Sequence, residues 1–148
     1  MNMIDRSTFL GVGMIAAMTL CLAPPVMAED KTDKLSLVRT LLSCSKAHSY
    51  HFKKNIKKQN YSKADEAKVS AKKYMKGAIA KAATIYPEVY NDVIVNEYPK
   101  ADMYKCEITE KERLGTLKSI KEFEGKFMGS ALMAANLMEV TGQLRIDL

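Results

Sequence analysis

The chain has 148 residues, 47% of them hydrophobic and 27% charged, and its 23 Lys and Arg outnumber 17 Asp and Glu to give a net charge of +6. A chain of this size has room for one domain with a hydrophobic core, which excludes a very small domain that folds only around a metal. It contains no Trp and only four Pro, so that long uninterrupted helices are permitted.

The N-terminal residues have the pattern of a secretory signal. Arg6 precedes an uncharged apolar stretch, residues 9–23, which is shorter than the roughly 20 residues that a transmembrane helix needs. Pro24 and Pro25 end this stretch, and the small side chain of Ala28 suits a signal peptidase site. We therefore expect cleavage after Ala28, with a retained N-terminal anchor as the alternative.

Cleavage at this bond divides the chain into a signal, residues 1–28, and a single helical domain, residues 29–148, in the periplasm or outside the cell. These compartments are oxidising. The signal removes Cys21, so that Cys44 and Cys106 remain as one pair, and we predict a disulfide between them. Closing a loop of about 60 residues stabilises a domain by about 4 kcal/mol. Two buried free thiols are the alternative.

Helical periodicity begins soon after the predicted cleavage site. Apolar residues at three- and four-residue steps predict a first helix from Leu35 to Gln59. Ser62, with Asp65 three residues later, predicts the N-cap of a second helix that runs to about Tyr86. Its expected buried face is rich in alanine, which lets another helix approach closely. This face comprises Ala67, Ala71, Tyr74, Ala78, Ala82 and Tyr86, with Met75 and Ile79 at its edge.

Two further segments are predicted to be helical. Residues 87–99 favour a short helix begun by Pro87, although their Val-Ile-Val run is also typical of a strand. After a loop that holds Cys106, Thr109 and Glu112 have the spacing of a capping box, and the last helix is expected to end near Gly142. Its predicted apolar stripe comprises Leu114, Leu117, Ile120, Phe123, Phe127, Ala131, Ala134 and Met138.

These elements predict an all-α fold, a small helical bundle of about four helices stapled by one disulfide. Gly125 and Gly129 lie four residues apart on the last helix. We expect this pair to pack closely against the alanine-rich face of the second helix. The apolar tail, residues 143–148, is expected either to dock on the body or to add a short edge segment.

The positive charge is concentrated in one segment of the chain. Residues 46–81 hold eleven Lys and two acidic residues, whereas residues 87–148 hold eleven acidic and eight basic residues. We expect the lysines near the turn between the first two helices to attract an acidic protein or the anionic surface of the cell envelope. Export and the scarcity of Arg disfavour nucleic acid, and a merely solvated face is the alternative. This lysine cluster comprises Lys53, Lys54, Lys57, Lys58, Lys63, Lys68, Lys72, Lys73 and Lys76.

His48 and His51 are the two histidines of the chain, and they follow Cys44 on one face of the first helix. This spacing could surround a metal with three ligands. A disulfide at Cys44 would remove the thiolate, and two histidines alone make a weak site. We therefore expect no metal and no cofactor, and keep these histidines as weak candidates for binding a metal or haem.

Catalytic motifs are absent from the sequence: there is no nucleophile elbow, no Gly-rich phosphate loop and no Cys-x-x-Cys pair. We therefore predict that the chain is not an enzyme. The favoured function is a periplasmic binding protein that recognises another protein, as an inhibitor or immunity-type factor. The alternatives are a periplasmic stress chaperone for unfolded clients and the metal or haem carrier.

Overall fold

The computed structural model describes residues 24–126 and 130–148, with side chains from residue 34 onwards. The described residues form five helices and no strand, which confirms the all-α prediction and corrects the helix count from about four. Residues 33–148 form one compact unit, and the described residues before it, 24–32, belong to another. The helices are α1 (Pro24–Lys57), α2 (Tyr61–Ile85), α3 (Tyr90–Glu97), α4 (Glu110–Lys126) and α5 (Ser130–Leu144), with 3₁₀ turns at Tyr98–Lys100 and Met103–Lys105.

Helix α1 begins earlier than the sequence predicts, at Pro24 instead of Leu35. Proline suits the first turn of a helix, where the backbone N–H groups have no intrahelical acceptor. The predicted apolar stretch of the signal, residues 9–23, lies outside the described residues. The bond after Ala28 lies within the backbone of α1, and its cleavage stays a prediction.

The turn between α1 and α2 is short and fully hydrogen-bonded. Gln59 has a φ of 57°, and the N–H groups of Gln59 and Asn60 donate to the carbonyls of Ile56 and Asn55, at 3.0 and 2.9 Å. This is a Schellman motif. The Asn60 side chain then accepts a hydrogen bond from the N–H of Lys63 at 3.3 Å and caps α2. The predicted cap at Ser62 is therefore wrong, because α2 already begins at Tyr61.

The core is built from side chains of all five helices, with Phe123 as the contribution of α4. Alanines of α2 are buried as predicted, but Tyr74 and Tyr86 are only partly buried, whereas Met75 and Ile79 are completely buried. The predicted face was too narrow, since α2 packs against α3, α4 and α5. The largest fully buried apolar side chains are Val38, Leu41, Leu42, Met75, Ile79, Ile94, Met133 and Val140.

Helices α2 and α4 are in close contact at Gly77. A Cβ atom at this position would overlap the Cγ2 methyl of Thr116 and lie 3.7 Å from the side chain of Leu41. Gly125, by contrast, faces open space, and Gly129 lies outside the described residues. The predicted close contact through Gly125 is therefore wrong, and the glycine of α2 makes the close approach.

The capping box at the start of α4 is confirmed. Glu112 accepts a hydrogen bond from the N–H of Thr109 at 2.8 Å, and its own N–H donates to the Thr109 hydroxyl at 3.2 Å. The expected single helix to Gly142 is wrong, because α4 ends at Lys126 and α5 begins at Ser130. The predicted apolar stripe is therefore interrupted: Phe123 is buried, Leu114 and Met138 are exposed, and Phe127 lies outside the described residues. The side chains buried in them are Thr116, Ser119, Phe123, Met133, Asn136, Leu137 and Val140.

Residues 87–99 form a helix as favoured, although the helix begins at Tyr90 and Pro87 precedes it. Helix α3 is joined to α5 by a polar contact: the Asn136 amide donates to the Tyr90 hydroxyl at 2.9 Å, and Asn91 donates to Asn136 at 3.0 Å. The C-terminal tail docks on the body, which decides between the two expectations for it. Its core-facing residues are Leu144, Ile146 and Leu148.

The predicted disulfide is present. Cys44 of α1 and Cys106 are bonded, their Cα atoms are 4.6 Å apart, and they are 62 residues apart in sequence. Lys46, half a turn further along α1, also connects α1 to the segment that follows α3. Its ammonium group donates to the carbonyl oxygens of Tyr98, Pro99 and Ala101 at 3.4, 3.1 and 3.0 Å.

Candidate functional site

The predicted lysine cluster lies at and below the tip of the α1–α2 hairpin, and we call residues 50–63 the hairpin tip. Five of its lysines are exposed at the tip, and the other four lie partly exposed along α2. Within the described part of the chain, none of the nine lysines forms an ion pair. The exposed five are Lys53, Lys54, Lys57, Lys58 and Lys63.

Apolar and aromatic side chains lie among these lysines. Tyr50 is 49% exposed, Ile56 41% and Tyr61 62%. Phe52 is partly buried, and the ammonium group of Lys68 lies 5.3 Å from the centre of its ring. Exposed tyrosines are typical of protein-binding surfaces, because their rings provide apolar contact area with little conformational freedom to lose.

The hairpin below the tip is held together by small side chains. Ser45 and Ser49 of α1 and Ala67 and Ala71 of α2 are buried. The Ser45 hydroxyl donates to the carbonyl oxygen of Ala71 at 2.9 Å, a direct bond between the two helices. Helices that meet through small residues lie close together. The tip is therefore a fixed continuation of a packed helix pair.

The two histidines lie just below the tip. The His48 ring stacks on Tyr74, with centroids 5.4 Å apart, and His51 lies 6.5 Å away from it, edge on. Burial, and secondarily the nearby His51, lowers the pKa of His48. Cys44 is in the disulfide and supplies no thiolate. Among the described residues, no three His, Cys, Asp or Glu side chains group closely enough to hold a metal.

A second polar site, which the sequence did not reveal, lies between α1 and the segment that follows α3. It is a cleft of about 370 Å³. The Nε of Arg39 donates to Glu97 at 2.7 Å, and Lys100 lies 3.5 Å from the other oxygen of the same carboxylate. The hydrogen bond from Arg39 lowers the pKa of Glu97, and the Glu97 carboxylate raises the pKa of Arg39. We call this site the Arg39 cleft.

Comparison of the chain with protein family models, with curated proteins and with solved structures found no match. None of the described helices combines the length and the apolar character needed to cross a membrane. The chemistry of the two surfaces described above therefore provides the evidence on function.

Proposed function

We propose that the chain is an exported, non-catalytic protein that binds an acidic protein through the hairpin tip, as an inhibitor or immunity-type factor in the periplasm. The observation that carries this proposal is the group of five exposed, unpaired lysines around exposed tyrosines in the described hairpin. The signal pattern supports export, and a disulfide is typical of proteins in oxidising compartments.

The positive charge of the hairpin indicates that the partner has an acidic surface. The local acidic residues, Asp65 and Glu66, are few against eleven lysines in residues 46–81. A surface of one sign attracts a partner of the other sign and raises the rate of encounter, in a way that salt screens. An acidic protein surface therefore complements the tip.

Apolar contacts of the hairpin tip should provide most of the affinity for the partner. Rim charges speed association, but most binding free energy at interfaces comes from a few buried aromatic or apolar anchors. Tyr50 and Tyr61 flank the lysines of the tip and are suitable anchors. Because the turn at Gln59 and Asn60 is already hydrogen-bonded, little ordering is needed on binding.

The test compares two variants that lose the same charge. The tip variant is K53Q/K54Q/K57Q/K58Q, and the α4 variant is K111Q/K118Q/K121Q/K126Q, in which every replaced lysine is exposed. Each protein is used as bait in envelope extracts at low salt, and the recovered protein is then purified and mixed with each bait. We expect a stoichiometric complex with the native chain and the α4 variant, and none with the tip variant.

Two results would contradict this proposal. Equal binding by both variants would show that the tip is not the interface. Tip-dependent binding to anionic lipid vesicles, without a stoichiometric protein partner, would replace the acidic protein with the envelope surface as ligand.

A second candidate, the periplasmic stress chaperone, is favoured by one observation on α5. Met138 is 74% exposed, and Ala131, Ala134 and Ala135 are exposed on the same helix. An exposed apolar helix face can hold unfolded clients. Suppression of the aggregation of a denatured model client, lost in M138Q and retained in the tip variant, would support it. A folded protein that leaves aggregation unchanged would eliminate it.

A further inference from the structure

We infer that the Arg39 cleft binds a small organic anion, with a carboxylate or phosphate group held by Arg39, Ser43 and Lys105. The cleft volume of about 370 Å³ lies in the range of small-molecule sites. Its lining is mostly polar and includes Ser36, Arg39, Ser43, Glu97, Asp102 and Lys105. This inference does not depend on the hairpin tip.

Arg39 has most of its hydrogen-bonding capacity available. Within the described residues, its guanidinium donates only through Nε, to Glu97. The two terminal nitrogens therefore remain for another acceptor. A guanidinium presents its N–H groups in a planar fork that matches the two oxygens of a carboxylate or phosphate. The bond to Glu97 fixes the orientation of this fork at the cleft.

Ser43 adds a hydrogen-bond donor to the cleft. The residue is only 4% exposed and lines the cleft, yet its hydroxyl forms no hydrogen bond with any described residue. The hydroxyl is therefore free to donate to an acceptor that binds in the cleft. The Lys105 side chain also lines the cleft and has no ion-pair partner among the described residues.

The acceptors of the cleft are already largely engaged. Both oxygens of Glu97 face cations, Arg39 and Lys100. One oxygen of Asp102 accepts the N–H of Tyr104 at 3.0 Å. The groups without partners are therefore mainly donors, and a ligand that complements them must bring acceptor oxygens. This balance favours an anion over a cation or an apolar molecule.

The disulfide joins the two walls of the cleft. Ser43 precedes Cys44 on α1, and Lys105 precedes Cys106 on the opposite wall. The Cα atoms of the two cysteines are 4.6 Å apart, so that the distance between the walls is covalently limited. Side chains held in place before binding lose less entropy on binding.

The test is an NMR titration of the isotope-labelled full chain with succinate, citrate and inorganic phosphate at low ionic strength. We expect saturable binding of at least one probe, with the largest amide shifts in residues 36–43 and 97–106. R39K keeps the charge but loses the fork, and should weaken binding about tenfold. S43A and K105Q should each weaken it about threefold.

The matched control is K57Q, which removes an exposed lysine at the hairpin tip. It should bind the probe as the native chain does. Absence of saturable binding for all three probes, or equal weakening by K57Q and K105Q, would overturn the inference. S43A and K105Q keep the test decisive should R39K fail to fold. Failure here leaves the protein-binding proposal intact, because that proposal is tested with variants of the tip.

Discussion

Lys46 and Lys53 lie two turns apart on α1 and have opposite surroundings. The ammonium group of Lys46 donates to three backbone carbonyls beside the disulfide, whereas Lys53 is exposed at the hairpin tip and forms no ion pair with a described residue. The same residue type therefore stabilises the fold in one region and presents charge to solvent in the other. Substitutions in the body should change stability, and substitutions at the tip should change binding.

The largest effect is expected from removing the disulfide of the body. C44A/C106A opens a loop closed over a sequence separation of 62 residues, and the free energy of unfolding should fall by about 4 kcal/mol. Urea denaturation of this double variant and the native chain measures the change. A loss below about 1 kcal/mol would show that the other contacts of α1 are sufficient to keep α1 and the Cys106 segment together without the disulfide.

Gly77→Ala should give the next largest effect. It should lower stability, which is opposite to the usual effect of this substitution in a helix. Alanine normally stabilises a helix interior by about 1 kcal/mol relative to glycine. Here its methyl group meets the Cγ2 of Thr116, and we expect a loss of about 1–3 kcal/mol in denaturation. T116S removes that methyl group and keeps the hydroxyl, so that G77A/T116S should recover much of the loss. A more stable G77A would contradict the close approach of α2 and α4.

A smaller loss of stability is expected from removing the confirmed cap of α4, and almost none from substituting the residue wrongly predicted to cap α2. Thr109→Ala removes the capping box of α4 and should lower the free energy of unfolding by about 1 kcal/mol. Ser62→Ala, at the position that the sequence suggested as the cap of α2, should change it by less than about 0.5 kcal/mol. Equal losses in thermal denaturation would mean that Ser62 also caps a helix.

The smallest stability change is expected at the tip. The tip variant, K53Q/K54Q/K57Q/K58Q, should differ from the native chain by less than about 0.5 kcal/mol in urea, because these lysines make no ion pairs with described residues. A loss comparable to that of the disulfide variant would remove the distinction between body and tip.

Local signals in the sequence were sufficient for much of the fold. The Thr109 and Glu112 spacing located the start of α4, because both partners of a capping box lie within one turn. The predicted export and the number of cysteines indicated the Cys44–Cys106 pair without any knowledge of topology. Lysine density also identified the exposed hairpin surface, since neighbouring charges along a helix remain neighbours in the fold.

Features that depend on tertiary contact were missed. Arg39 and Glu97 are 58 residues apart, and neither has a local pattern that indicates a shared cleft. The close approach at Gly77 depends on which helix packs against α2, and the GxxxG spacing pointed to the wrong glycine. The width of the buried face of α2, including Met75 and Ile79, follows from its packing against α3, α4 and α5 as well as α1, which a single-helix pattern does not contain.

The salt dependence of binding tests the central claim most directly. Association constants of the purified partner with the native chain, the tip variant and the α4 variant are measured from low to high salt. We expect affinity to fall steeply with salt for the native chain and the α4 variant, and to be weak and nearly independent of salt for the tip variant. Parallel salt dependence for all three proteins would contradict a protein-binding role for the hairpin tip.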